Sequence, residues 1–265
     1  MRINRLMRML VRRYPFSRAR GRVLAFAMRH VGGFEVGSDD DGNTFLLDLG
    51  NYIDSRMFLE GCYERAGVEL LNDYVDRYDC RWAIDVGANI GAYTIPLAKN
   101  PKLVEVHAFE PDPRNHAQLW ANVFLNDVSE KVSVHDVALS SISADAALHV
   151  SRTPRRFDSG KLNTGTASLV MNDRRHDESV AVRTERLDDV LDIEGESVVV
   201  KIDVEGHELE VLKGMERILA KDRCVIQVEA FAERRSAVDT FLADLGYEFS
   251  DANINASANV IYVKR

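Results

Sequence analysis

Cysteine is scarce and scattered: Cys62, Cys80 and Cys224 form neither a C-x-x-C pair nor a cluster with histidine. That excludes a disulfide framework and a cysteine-ligated metal site, and it suits a reduced, cytoplasmic chain. No apolar run approaches the length of a membrane span. No repeat or low-complexity stretch breaks the chain, so one large domain with additions is expected. Acid is missing from the first 22 residues, which carry eight arginines; removing that charge from the formal −8 leaves the remainder at −16. So acidic a body is not expected to bind nucleic acid.

What is present begins with a basic amphipathic helix over residues 1–22. Ile3, Leu6, Met7, Leu10, Val11 and Tyr14 recur at helical spacing, opposite Arg2, Arg5, Arg8, Arg12 and Arg13. The arginines interrupt every apolar run, so no signal peptide is expected. Docking on the body, peripheral contact with an anionic membrane and contact with an acidic partner all remain open for this helix. Residues 23–80 read as a hairpin, "FEVGSDDDGNTFLLDL", turning at Asp41-Gly42, and a helix over 56–78. Asp39, Asp41 and Asn43 lack the glycine and glutamate spacing of a calcium loop, and no metal site is expected.

From Trp82 a regular alternation sets in: "WAIDVG" strand, "GAYTIPLAKN" helix, "VEVHAFE" strand, "PDPRNHAQLWANVFLN" helix, "KVSVHD" strand. It resumes with "SVVVKID", a helix from His207 to Lys221, "CVIQVEA", a further helix, and the pair "YEFSD" and "NVIYVKR". The pattern predicts an α/β fold with parallel strands and an antiparallel pair at one edge. Residues 139–197 form an insertion between the third and fourth strands, expected to cover the site.

"DVGANIG", Asp85 to Gly91, lies where the first strand becomes a helix. Gly87 permits a tight turn and close approach of a ligand, Asn89 tolerates a left-handed backbone, and Gly91 lets the helix pack closely. Glu110 ends the second strand, where an acid can accept both hydroxyls of a ribose. Asp136 ends the third and, with Val137 and Ala138, can meet an adenine edge. Three strand tips thus line one crevice. The loop lacks the G-x-G-x-x-G of nicotinamide enzymes, and Asp85 suits an ammonium better than a pyrophosphate; an adenosyl ligand carrying an amino acid fits.

"IDVGANIGAYT", "FEPDP", "HDVALS", "LDDVL" and "VVKIDVEGHELEVLKG" follow, in order, the motifs of the FkbM-type methyltransferases, which the chain resembles from roughly Tyr63 to Glu229. The resemblance implies a seven-stranded, mostly parallel Rossmann-like sheet with helices on both faces, over residues 81–265. It also implies methyl transfer from S-adenosyl-L-methionine to oxygen, commonly a sugar hydroxyl of a glycan, glycolipid or glycosylated natural product. Carried over, Asp85, Gly87, Ala88, Asn89 and Gly91 hold the methionine part, Glu110 and Pro111 the ribose, and Asp136, Val137 and Ala138 the adenine.

The charged exit "KIDVEGHELE" then has a use. Lys201 and Asp203 share a strand face; Glu205, His207 and Glu208 stand on the following turn. His207 is the expected general base, with Asp203 or Glu205 orienting it or the acceptor. Glu208 and Glu205 equally suit the positive end of a helix, and Lys201 suits a carboxylate partner. In the insertion, Asn163, Thr164, Gly165, Thr166 and Ser168 are acceptor-contact candidates, and Arg152, Arg155, Arg156 and Lys161 are candidates for an acidic group on it. Tyr63 and Glu64 are placed to close over the methionine end. A nicotinamide oxidoreductase and a silent cofactor-binding scaffold are the rival readings.

Overall fold

The computed structural model describes residues 2–13, 20–155, 158–172, 174–193, 195–220, 224–230, 232–250 and 259–264. Tyr14, Arg156 and Lys221 therefore lie outside the described residues. The valines that open the fourth strand of the alternation are buried on both faces, as expected of a strand sandwiched by helices. This strand, β9 (Val198–Ile202), lies between β3 (Trp82–Val86) and β10 (Cys224–Glu229), parallel to both. On the other side of β3 come β4 (Glu105–Phe109) and β5 (Val132–His135). Beyond β10, β12 (Asn259–Lys264) runs antiparallel to it and β11 (Tyr247–Phe249) antiparallel to β12, completing the seven-stranded sheet β11-β12-β10-β9-β3-β4-β5.

Alternation along these strands feeds two cores. Ala83, Val106, Val199 and Val225 pack on one face, with Leu71 and Val75 of α4 (Arg65–Tyr78) and with Leu119 and Val123 of α6 (Pro113–Leu125). Ile84, Val200 and Ile226 face the opposite core, formed with Val211 and Leu212 of α8 (Glu208–Lys213) and with Val238 and Leu242 of α10 (Ala232–Asp244). Because β4 and β9 leave β3 in opposite directions, the carboxyl ends of β3, β4 and β9 open a crevice between them, where open α/β sheets take ligands.

Two expected helices are broken. The stretch 56–78 is α3 (Tyr52–Glu60) and α4, because Gly61 takes a left-handed φ of 84° and its N–H caps Met57 O. The break sends Tyr63 and Glu64 into a loop at the crevice. The helix after β9 likewise divides into α8 and α9 (Glu216–Leu219), where Gly214 runs against the Ser140 carbonyl.

The insertion has a sheet of its own: β6 (Ala138–Leu139), β8 (Glu178–Glu185) and β7 (Ala144–Val150), in that order. The hairpin is present as β1 (Phe34–Ser38) and β2 (Thr44–Asp48), its turn closed by Asp39 Oδ1 accepting from Asp41 N and Asn43 N. The basic helix, α1 (Arg2–Arg13), docks on α2 (Arg20–His30) and α3 through buried Asn4, Met7 and Val11. Arg12 pairs with Asp40, and Arg8 donates to Ser38 O. Ile3, Leu6 and Met9, about half exposed, face outward.

Candidate active site at the strand tips

Strand register builds the site. Asp85, Lys201 and Gln227 are paired neighbours on β3, β9 and β10, so their side chains form one row on the α4 face of the sheet. Two residues on along their strands stand Asp203 and Glu229, one pleat nearer the crevice. Lys201 Nζ lies 3.6 Å from Asp85 Oδ1 and 3.4 Å from Asp203 Oδ2, and 4.7 Å from the centre of the Tyr93 ring. Burial alone lowers a lysine pKa, but the Asp203 and Asp85 carboxylates outweigh it and hold Lys201 charged.

The acids around this cation are perturbed the other way. Glu229 is pushed up, to about 9, first by burial and then by the charge and hydrogen bond of Asp203. Its carboxyl is hydrogen-bonded to that of Asp203. Glu64 is raised by burial, and its Oε2 accepts from the Tyr93 hydroxyl at 3.1 Å. Gln227 Nε2 donates to the same hydroxyl at 3.1 Å.

One cavity joins these groups to the glycine turn. Its lining includes Tyr63 and Glu64, Gly87 to Ile90, Glu110 and Pro111, Val137 to Leu139, Lys201, Asp203, Glu205, His207 and Glu229. Gly87 takes a φ of 79°, and any Cβ there would collide with the Asp203 carbonyl, so the turn and the tip of β9 touch only because Gly87 has no side chain. Asn89 takes a φ of 51°. Its N–H donates to Glu110 Oε2 at 2.8 Å, and Asp112 N donates to Glu110 Oε1 at 2.9 Å. Burial nevertheless carries Glu110 up to about 7.

Several expected residues stand elsewhere. Asp85 is fully buried beneath the cavity rather than on its surface, accepting from Thr94 Oγ1 at 2.6 Å. Gly91 also lies behind the lining, against Leu119. Asp136 is exposed and outside the lining, because the chain turns after β5 to direct Val137 and Ala138 inward.

His207 lines the cavity, but its Nε2 is 2.9 Å from Ser140 Oγ, and burial lowers its pKa. Glu205 has a left-handed φ of 52° and receives Arg175 Nη1 at 3.0 Å; burial and then Asp203 raise it to about 7. Glu208 accepts from Gly206 N and holds the turn.

Thr164, Gly165 and Ser168 of the insertion reach the cavity. Asn163 and Thr166 do not: Asn163 donates to Asp158, and Thr166 Oγ1 donates to Asn163 O. Three of the expected insertion cations, Arg152, Arg155 and Lys161, are committed within the protein. Arg152 grips Asp112 with two bonds of 2.9 and 2.8 Å, Arg155 donates to Arg174 O, and Lys161 donates to Val31 O and Leu49 O. Glu229 and Tyr93 were not expected in the site. Glu229 carries the signal that marks Glu110, an acid ending a buried strand; Tyr93 carries none.

The site tolerates a ligand presenting N–H or O–H donors. Asn89 Oδ1, a buried atom, meets no hydrogen-bond donor among the described residues, and such an orphan acceptor is costly unless a partner arrives. Among the described residues, no group of three or more His, Cys, Asp or Glu side chains forms a metal site.

Comparison with known proteins places this arrangement. The AMB antimetabolite synthetase AmbE of Pseudomonas aeruginosa is 29% identical over 240 residues, 77% of this chain but 11% of that protein. The 31-O-demethyl-FK506 methyltransferase FkbM of Streptomyces tacrolimicus is 30% identical, over 61% of this chain and 66% of the relative. The hexuronic acid methyltransferase AglP of Haloferax volcanii is 31% identical, over 62% and 61%. The chain thus spans about a tenth of AmbE and about two thirds or less of the other two. Residues 85–249, running from the aspartate under the glycine turn to the edge strand β11, match the methyltransferase FkbM domain, and the chain belongs to that family.

Proposed function

We propose that the chain is an S-adenosyl-L-methionine-dependent O-methyltransferase acting on a hydroxyl, most simply that of a sugar in a glycan, glycolipid or glycosylated natural product. One observation carries the reading: a single cavity has a buried ribose-type acid, Glu110, at one side and the hydrogen-bonded carboxyl pair Asp203 and Glu229 at the other. When bound, S-adenosyl-L-methionine supplies a methyl group on a positively charged sulfur. Glu110 keeps lone pairs for ribose hydroxyls beyond the two N–H groups it already accepts. The orphan acceptor Asn89 Oδ1 suits a donor at the methionine end. Val137 and Ala138 offer apolar contact and backbone groups to the adenine.

With S-adenosyl-L-methionine bound, methylation of an acceptor hydroxyl would require the hydroxyl's proton to leave, and residues of the chain would have to take it. We assign that proton to the Asp203–Glu229 pair rather than to His207. The pair lies at the cavity beside the Lys201 cation, two hydrogen-bonded carboxyl groups of which burial and the Asp203 charge raise Glu229, whereas one ring nitrogen of His207 is engaged by Ser140. His207 and Glu205 then act as positioning residues for the acceptor. Glu229→Gln preserves size and the hydrogen bond but not the carboxyl; it is expected to lower kcat by roughly 10²–10⁴-fold with unchanged affinity for S-adenosylhomocysteine. Full turnover in that variant would overturn the assignment. The relatives named above support a hydroxyl or sugar-type acceptor through their names, FK506 and hexuronic acid.

The exposed Ile3, Leu6 and Met9 on arginine-rich α1 support a peripheral contact with anionic membrane for an otherwise cytoplasmic protein. No described helix is long and apolar enough to cross a membrane.

A further inference from the structure

Glu205 holds a strained conformation at the cavity. Its φ of 52° lies in the left-handed region, as does the 113° of Gly206 after it, and a glutamate stays there only where its surroundings hold it. Within the turn, Glu208 accepts from Gly206 N. Among the described residues, both hydrogen bonds to Glu205 itself come from the insertion: Ser168 Oγ donates to Glu205 O at 3.0 Å, and Arg175 Nη1 donates to Glu205 Oε2 at 3.0 Å. One bond fixes the backbone and the other aims the carboxylate.

Both donors are built into a frame. Ser168 is buried; its N–H and carbonyl pair with His149 of β7 at 3.0 and 2.8 Å, and its Oγ also accepts from Val170 N. Arg175 rides on a turn in which Arg175 N and His176 N both donate to Asn172 O, and His176 Nε2 lies 2.7 Å from Thr166 O. At Thr164 the insertion is tied to the body, where Asn51 Nδ2 donates to Thr164 Oγ1 at 2.7 Å. From there to the Glu205 contact, Thr164, Gly165, Ala167, Ser168 and Leu169 line the cavity. Arg175 stands outside the lining, so it reaches a ligand there through Glu205.

Resting on the methyl-transfer reading, in which Glu205 positions the acceptor, we propose that Ser168 and Arg175 are positioning residues of the insertion that set the place of the Glu205 carboxylate at the cavity. The insertion thereby shapes the acceptor side twice, by its own lining residues and by the acid it holds in the turn between β9 and α8. The charges around Glu205 agree with this. After burial, Asp203 and Glu208 push its pKa up and Arg175 draws it down, whereas Arg234 of α10, against Gly206, acts on His207 and Glu208.

The test is an NMR titration of the isotopically labelled Glu205 carboxyl in the full chain, with and without S-adenosylhomocysteine. In the unaltered protein its midpoint is expected at about 7. Arg175→Gln should raise that midpoint by about one pH unit or more, and Arg175→Lys should restore most of the change, while the affinity for S-adenosylhomocysteine and the Glu110 resonance stay as they were. Ser168→Ala should move the Gly206 amide resonance, whose peptide carbonyl it releases, and serves as the second variant if Arg175→Gln fails to fold. An unmoved Glu205 midpoint in Arg175→Gln, no rescue by lysine, an unmoved Gly206 amide in Ser168→Ala, or a change spread equally to Glu110 overturns the proposal. Failure of the unaltered protein to bind S-adenosylhomocysteine strikes the methyl-transfer reading, whereas the titration of ligand-free protein decides this one by itself.

Discussion

Lys201→Met removes the cation from the centre of the site while keeping its volume. The wild-type ammonium is buried, 3.6 Å from Asp85 and 3.4 Å from Asp203. Asp203 is a quarter exposed at the cavity and can recruit water, but the Asp85 side chain is only 1% exposed and retains just the Thr94 hydroxyl. Breaking a buried pair by deleting one partner costs about 3–5 kcal/mol, because the surviving charge is stranded. For a domain of this size that corresponds to a fall in Tm of about 6–20 °C.

Urea unfolding at neutral pH measures the deficit. The double variant Lys201→Met with Asp85→Asn is expected to recover most of the loss, since both charges are then gone. A deficit below about 1 kcal/mol, the range of an exposed pair, or a double variant no more stable than Lys201→Met alone, would refute the reasoning.

Three further outcomes are expected. His207→Ala should lower turnover by less than tenfold and Glu229→Gln by far more; the reverse ranking in steady-state kinetics would return the base to the histidine. His107, buried against His135, has its pKa lowered to about 4, first by burial and then by the neighbouring ring. Its contribution to stability is therefore complete above about pH 6.5, the unperturbed value, and lost as pH falls towards 4; His107→Gln should flatten that part of the urea-midpoint profile. Flotation with anionic vesicles should retain the protein and release Ile3→Ser/Leu6→Ser, with neutral vesicles retaining neither; equal flotation of both proteins would rule out α1 as the contact.

The strand tips were readable in the sequence because charge there interrupts buried, uniformly apolar strands. "VVVKID" and "HAFE" announce Lys201, Asp203 and Glu110 before any contact is known. The same rule applied to "CVIQVEA" would have found Glu229, which no recognised motif covered. Two helix breaks escaped because Gly61 and Gly214 look like tolerated interior glycines until φ and neighbouring chain are known. The insertion cations escaped for a different reason. Arg152 and Lys161 find Asp112, Val31 and Leu49 across 40 to 130 residues of chain, and no local pattern encodes such partners. Asp136 illustrates the limit of period two, since one turn beyond the strand end exposed the acid and brought Val137 and Ala138 to the cavity.

Both rivals to methyl transfer, a nicotinamide enzyme and a silent scaffold, meet in one measurement: thermal unfolding with S-adenosylhomocysteine, with NAD, and with neither. At a hundredfold its Kd a ligand adds about 2.7 kcal/mol, or about 5–11 °C here. A rise with S-adenosylhomocysteine alone, abolished by Glu110→Ala, is the expected result. A rise with NAD alone, or with neither ligand, would contradict the assignment of the cavity from Gly87 to Glu229.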